Sequence, residues 1–145
     1  FLKELLPGLR KLNLKIYLET NATLPDEFKK ISRCVDIVAA DIKLPSVTKN
    51  KAFWGKHLDF LKAAGNKKLF VKIITSDKVK TADFKMALSL MNKVSSNIPL
   101  VIQPVMKNKV LQISVKKLFA LQDYALKFLD NVYVIPQLHK IIGIK

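Results

Sequence analysis

The sequence predicts a single α/β domain built on a parallel, open sheet of about five strands. Three observations lead there. Apolar residues recur at helical and at strand spacing in alternation from end to end, the pattern of repeated strand–helix–strand units. The strand-like runs are short and nearly all apolar, as in strands buried within a parallel sheet. The chain has 145 residues, one domain's worth, with no linker, low-complexity tract or internal repeat.

The elements follow in order. Leu2, Leu5, Leu6, Leu9 and Leu12 lie at helical spacing, and Pro7-Gly8 is expected to kink or split that helix. Leu14–Glu19 reads as a strand. Thr23-Leu24-Pro25-Asp26 opens the next helix with a hydroxyl, an early proline and acids in the first turn, and this helix runs to about Arg33. Val35–Asp41 is an almost continuous apolar run and reads as a buried strand. Phe53–Ala64 is a helix closed by Gly65-Asn66. Leu69–Thr75 is rich in strand formers, and Thr81–Val94 is helical with Phe84, Ala87, Leu88, Met91 and Val94 on one face. Leu100–Gln103 is the fourth strand, Ser114–Leu129 a long helix, and Val132–Ile135 the fifth strand. Leu138–Lys145 forms a terminal turn or short helix.

Composition excludes several classes. Half the residues are hydrophobic and 26% are charged, which rules out a disordered tail. One cysteine, Cys34, gives neither a disulfide framework nor a CxxC metal cradle, and three or four thiolates usually hold an iron–sulfur cluster. The net charge is +15, but 24 of the 26 basic residues are lysines spread along the whole chain. With no arginine cluster and no interleaved aromatics, this reads as a solvated surface, not a specific nucleic-acid site. No apolar run reaches the roughly 18–20 residues of a membrane span, and no signal peptide is evident. A cytoplasmic location is expected. The sequence opens at Phe1 without an initiator methionine, directly in a helical pattern.

Parallel α/β folds carry their chemistry at the carboxyl ends of the strands. Those ends are Glu19-Thr20-Asn21, Asp41-Ile42-Lys43, Thr75-Ser76-Asp77, Gln103-Pro104 and Pro136-Gln137-Leu138-His139-Lys140. Acids, a base, amides and an imidazole on one face suit a polar, partly zwitterionic small molecule. Glu19 and Asp41 can accept from an ammonium or from sugar hydroxyls. Lys43 can neutralise a carboxylate as a point charge. Gln103 and Gln137 each offer a donor and an acceptor to a heterocycle edge, and His139 can donate to an anion or move a proton. His57 falls inside a helix and reads as a surface or packing residue, Phe53 and Trp54 as core, and Cys34 as a small inert hydrophobe. No P-loop, GxGxxG, nucleophile elbow or HExxH occurs.

The segments LETNATLPDEF, DIVAADIKLPSVTKNKAFW, KLFVKIITS, PLVIQPV and VYVIPQLHKIIGIK together resemble the radical S-adenosylmethionine (SAM) enzymes. The nearest group is 7-carboxy-7-deazaguanine synthase and its relatives, with PQLHK the most specific element; glycyl-radical-enzyme activases are more distant. The resemblance covers essentially all 145 residues. It implies the carboxy-terminal portion of a partial (β/α)6 barrel. It also implies an activity for the complete enzyme. SAM and a [4Fe–4S] cluster generate a 5′-deoxyadenosyl radical, which contracts the ring of 6-carboxy-tetrahydropterin to 7-carboxy-7-deazaguanine, with Mg²⁺ assisting, for queuosine or archaeosine synthesis. Carried over residue by residue, Glu19, Thr20, Asn21, Asp41, Lys43 and Ser76 would line SAM. Gln103, Gln137 and His139 would lie nearer the pterin-like substrate.

Two departures bear on function. The family's ETNG glycine is Ala22 here, a strained choice if the turn needs a positive φ. The CxxxCxxC motif and the following GGEP-type segment are absent, so the chain by itself is expected to bind no cluster and to be catalytically inactive. In the family's order it begins on the helix after the GGEP strand. The strand Leu14–Glu19 would then lose its neighbour in the missing N-terminal part of the barrel, an expected partner, and leave an open sheet edge covered by the N-terminal leucine helix, by a crystal partner or by a homodimer. Two further readings are an activase-like radical SAM protein acting on another protein, and a non-catalytic basic module binding RNA or a partner.

Overall fold

The computed structural model describes residues 1–143, and for His139 the backbone alone. Its elements are α1 (Leu2–Lys11), β1 (Tyr17–Thr20), α2 (Pro25–Ile31), a 3-10 turn (Ser32–Cys34), β2 (Ile37–Ile42), α3 (Pro45–Thr48), α4 (Trp54–Ala64) and β3 (Lys68–Thr75). There follow α5 (Thr81–Asn92), β4 (Leu100–Pro104), β5 (Met106–Lys107), β6 (Val110–Leu111), α6 (Val115–Ala125), β7 (Val132–Val134) and α7 (Leu138–Ile142). Five strands form one parallel sheet in the order β1-β2-β3-β4-β7, so each is hydrogen-bonded to its predecessor in the α/β series. The expected open, all-parallel sheet of five strands is therefore present, with β1 at one edge and β7 at the other.

Sequential strand order with crossovers of one hand places the helices on one face. Strand alternation identifies that face. Val38, Ala40, Ile42, Leu69, Val71, Ile73, Leu100, Ile102 and Val132 merge with Phe28, Phe60, Leu61, Phe84, Leu88, Met91 and Leu118 into one core. Residues one step out of phase form the other face: Tyr17, Glu19, Asp41, Phe70, Lys72, Ile74, Gln103 and Tyr133. Most are only half-buried or exposed. Among the described residues no helical layer covers this second face. It is the side on which a site can be built.

Several boundaries differ from the sequence-based expectation, each for a local reason. Pro7 sits inside a continuous α1, where a ten-residue helix tolerates one lost backbone bond. Thr81–Val94 stops at Asn92 and Ser114–Leu129 at Ala125; Ser114 caps the latter, its hydroxyl accepting from the Lys117 amide at 3.3 Å. The four-residue α3 lies in what read as a loop. Its Ser46 amide donates to Asp83 at 2.8 Å, tying the β2–α4 connection to the start of α5. The β5–β6 hairpin was also unforeseen. Its turn, Asn108-Lys109, has φ of +50° and +62°, a two-residue mirror-image turn made without glycine.

The N-terminal helix does not seal the β1 edge. Its buried Leu6 packs in the helical layer, where α1 meets α2 and the 3-10 turn. Arg10 grips both Asp36 oxygens, at 2.9 and 2.8 Å, and Asp36 also accepts from the Ile16 amide at 2.7 Å, fixing α1 to the entry of β1 and β2. The Ile16 amide, with Arg10 behind it, holds the Asp36 carboxyl below its ordinary range. Between the first residues of α1, β1 and α2 remains an apolar groove of about 460 Å³, floored by Leu18, Phe28, Ile31 and Phe60.

Ala22 has φ +53° and is fully buried, so the turn after β1 does take the left-handed form. The Thr20 hydroxyl, accepting from the Ala22 amide at 3.2 Å, helps hold it. Alanine in that region costs about 1–2 kcal/mol. Glycine would relieve the strain but lose a buried methyl worth about 0.8 kcal/mol and add unfolded-state entropy of about 0.4–1 kcal/mol. Ala22→Gly is accordingly expected to shift stability by no more than about 1 kcal/mol, read as the urea midpoint. A larger change in either direction would refute that balance.

Candidate functional site

The uncovered face carries a row of alternating charge at the carboxyl ends of its first three strands. Parallel register sets Asp41 of β2 opposite Lys72 of β3, and Glu19 of β1 lies one pair earlier on the same face. Lys72 reaches from the middle of its strand to both acids. Its ammonium donates to Glu19 Oε1 and stands 3.2 Å from Asp41 Oδ1. Lys43, just beyond β2, approaches Asp41 Oδ2 at 3.7 Å. The sequence of charges is thus minus, plus, minus, plus across Glu19, Lys72, Asp41 and Lys43.

These groups differ in exposure. The Lys72 and Asp41 side chains are only 15% and 17% exposed, whereas Glu19 is 55% exposed. Burial alone would lower the Lys72 pKa, but its hydrogen bond to Glu19 and the charge of Asp41 outweigh burial, and the pKa is raised. Lys72 is therefore a fixed cation at neutral pH. Tyr17, two residues before Glu19 on the same face, has its phenol pushed up by burial and by the Glu19 carboxylate. Tyr17 and Phe70 stand with ring centroids 6.4 Å apart, forming an aromatic flank to the charged row.

Of the residues selected from the sequence, the structure brings Glu19, Asp41 and Lys43 together, with Gln103 on the same face of β4. Others are occupied locally. Asn21 Oδ1 accepts from the Thr23 amide at 3.3 Å and the Thr23 hydroxyl at 2.8 Å, and Thr20 bonds within the same turn. Ser76 is buried, and its hydroxyl accepts from the Lys78 amide at 3.3 Å. Gln137 Oε1 accepts from the Met106 amide at 3.2 Å, clamping the hairpin to the end of β7. The His139 side chain lies outside the described residues.

Lys72 is the residue that sequence reasoning missed. It sits inside the run Leu69–Thr75, away from the strand ends at which a parallel sheet usually carries its chemistry. The available signal was a lone charge in an otherwise apolar strand, which needs a partner when half-buried. His57, read as surface or packing, is buried at 1% exposure and packs under the Ala22 turn. Cys34 and Trp54 are half-buried against the core, as expected.

Fold and site together define an open, singly wound α/β protein with a zwitterionic row at its strand ends. Along nearly all of its length the chain is similar to 7-carboxy-7-deazaguanine synthases. It is 34% identical over 143 residues to the 7-carboxy-7-deazaguanine synthase of Geobacter sulfurreducens, covering 98% of this chain and 57% of that protein. It is 31% identical over 142 residues to the synthase of Methanopyrus kandleri (97% and 53%), and 34% identical over 135 residues to that of Archaeoglobus fulgidus (89% and 56%). The chain spans just over half the length of these relatives. No family profile matches it, and no solved structure does.

Among the described residues no helix is long and apolar enough to cross a membrane, and no group of three His, Cys, Asp or Glu is placed to hold a metal ion. With Cys34 the single cysteine of the sequence, these residues do not fit an iron–sulfur cluster. The charged row does fit a ligand carrying both an ammonium and a carboxylate.

Proposed function

We propose that this chain forms the SAM- and substrate-facing, carboxy-terminal portion of a radical SAM enzyme resembling 7-carboxy-7-deazaguanine synthase. In this reading the open sheet is part of a partial (β/α)6 barrel, and its uncovered face looks into the barrel interior. The observation that carries the proposal is the alternating row Glu19–Lys72–Asp41–Lys43. An amino-acid moiety matches it in charge order: its ammonium is drawn to Glu19 or Asp41 and its carboxylate to Lys43 or Lys72. The half-buried lysine between two acids keeps the row preorganised, so that little reordering is needed on binding. Gln103, farther along the same face, offers both hydrogen-bond senses to a heterocycle such as a pterin.

The chemistry of SAM cleavage requires an electron from a cluster, and the thiolates for it would have to lie outside these 145 residues. What this chain's own residues do is bind and orient. The 145-residue chain is expected to bind SAM weakly, to release no 5′-deoxyadenosine, and to lose about tenfold in affinity on Asp41→Asn, equivalent to about 1.4 kcal/mol. Isothermal titration calorimetry with SAM and with methionine methyl ester (which lacks the free carboxylate) reads this directly. Equal binding of both compounds, or an unchanged affinity in Asp41→Asn, would refute the assignment of the row. Fusion to a cluster-bearing amino-terminal segment, reconstituted anaerobically with iron and sulfide and assayed with 6-carboxy-tetrahydropterin, tests the synthase activity itself.

A further inference from the structure

Behind the charged row lies a buried imidazole that the proposed ligand binding does not use. His57 sits in the first turn of α4 at 1% exposure. Its Nδ1 is 3.0 Å from the Ala22 carbonyl oxygen, and because a carbonyl can only accept, Nδ1 carries the proton. A neutral ring then leaves Nε2 as a bare acceptor, and among the described residues Nε2 has no partner. Beside the ring is a cavity of about 100 Å³ lined by Asn21, Thr23, Lys43, Asn50, Phe53 and His57 itself.

Ala22 ends the segment Glu19-Thr20-Asn21 in a left-handed turn, a conformation that alanine does not hold unaided. The Thr20 and Asn21 side chains brace the turn from within. His57 is the brace from outside, reaching from α4 over 35 residues of sequence to the turn's carbonyl. We infer that His57 is the positioning residue of this site: the neutral imidazole fixes the Asn21–Ala22–Thr23 turn and with it the placement of Glu19, and a second proton, which enters at the buried Nε2 beside Lys43, leaves the Nδ1–H bond in place but loosens the turn by putting an unpaired charge beneath it. The inference rests on the reading above only in calling the segment a ligand site.

The surroundings say why a second proton is disruptive. Lys43 is the one charged side chain lining the cavity, and it has the same sign as a protonated ring. The acid paired with Lys43, Asp41, is engaged by Lys72 as well. The buried residues of the flanking helices are apolar: Phe28 and Ile31 on α2, Phe84, Leu88 and Met91 on α5. On α4 itself Lys56 and Asp59 are exposed. Burial accordingly lowers the His57 pKa below 6.5, a shift that the Ala22 bond only partly opposes. With the folded-state value depressed, stability is fully present above pH 6.5 and is lost as pH falls through the folded-state value.

Nuclear magnetic resonance on the ¹⁵N-labelled chain, titrated from pH 8 to pH 5, tests this. Long-range ¹H–¹⁵N spectra should show His57 as the Nδ1–H tautomer at pH 8, and the amides of Asn21, Ala22 and Thr23 should move with its titration. His57→Asn places an amide nitrogen near the Nδ1 position without a titrating group. It should keep the neutral-pH turn shifts and lose their pH dependence, whereas His57→Leu should displace them at every pH. An Nε2–H tautomer, or turn amides that stay still while His57 titrates, would overturn the proposal even if the leucine variant fails to fold. SAM affinity should drop at least about threefold between pH 7.5 and 5.5 in the native chain and stay level in His57→Asn. Loss of SAM binding at every pH would sink the ligand assignment and leave the turn titration to stand or fall alone.

Discussion

Truncating Phe60 to alanine is expected to lower the unfolding free energy by about 3–5 kcal/mol, the range for a fully buried phenylalanine. Phe60 is 1% exposed and stacks at a tilt against Phe28, with ring centroids 4.8 Å apart. It joins α4 to α2, and the β1 side of the sheet rests on that pair. The residue also forms part of the floor of the groove beside the open β1 edge, so the truncated site cannot refill from a complete helical layer. Domains of this size are stable by about 5–15 kcal/mol, so the variant should sit close to its unfolding threshold at 37 °C. Urea unfolding followed by Trp54 fluorescence gives the change in midpoint at constant slope. A loss below about 1.5 kcal/mol would mean that the Phe28–Phe60 pair is not the keystone of this layer.

Much of this architecture was legible because hydrophobic periodicity reports directly on burial. Phe84, Ala87, Leu88 and Met91 at helical spacing form the buried face of α5, and the nearly unbroken run Val35–Asp41 supplies the interior strand β2, whose Val38, Ala39 and Ala40 are fully buried. Short elements escaped for a different reason. The four residues of α3 are held by a tertiary bond from Ser46 to Asp83, thirty-seven positions away, and no local pattern announces it. The hairpin at Asn108-Lys109 lacks the glycine that usually marks such a turn; its geometry is imposed by Thr75, which accepts from the Val105 amide, and by Gln137 on Met106.

The site was legible in part by the same logic. Strand ends can be counted from the sequence, so Glu19, Asp41 and Lys43 were accessible; the left-handed turn at Ala22 was signalled only by the glycine that the resembling family carries at that position. Lys72 was not, because its partners are set by strand register, and register is a property of the folded sheet. The bond from His57 to Ala22 similarly joins two segments whose proximity only the packing of α4 over the β1 turn creates. Polar groups facing solvent along a strand end announce themselves, whereas polar groups that neutralise one another across strands do so only in three dimensions.

Removing the central charge of the row should expose that distinction most sharply. Lys72→Met keeps the length and apolar stem of the side chain but leaves Glu19 and Asp41 facing each other with no cation between them. Breaking one partner out of a buried ion pair costs about 3–5 kcal/mol. Glu19 is more than half exposed and solvent screens it, so the expected loss here is about 2–3 kcal/mol at pH 7. The pH dependence has a definite sign. Because the Lys72 pKa is raised in the fold, its contribution is present below pH 10.5 and disappears as pH climbs through the folded value. The native chain should lose this increment in alkali, and the methionine variant, having none to lose, should approach it in stability there. The combined variant Glu19→Gln, Lys72→Met should be more stable at pH 7 than Lys72→Met alone, since only Asp41 then needs a counter-charge and Lys43 is 3.7 Å from it. If Lys72→Met proves neutral at pH 7 and Glu19→Gln adds nothing to it, the row is a set of independent surface charges, and a preorganised zwitterion site at these strand ends has no physical basis.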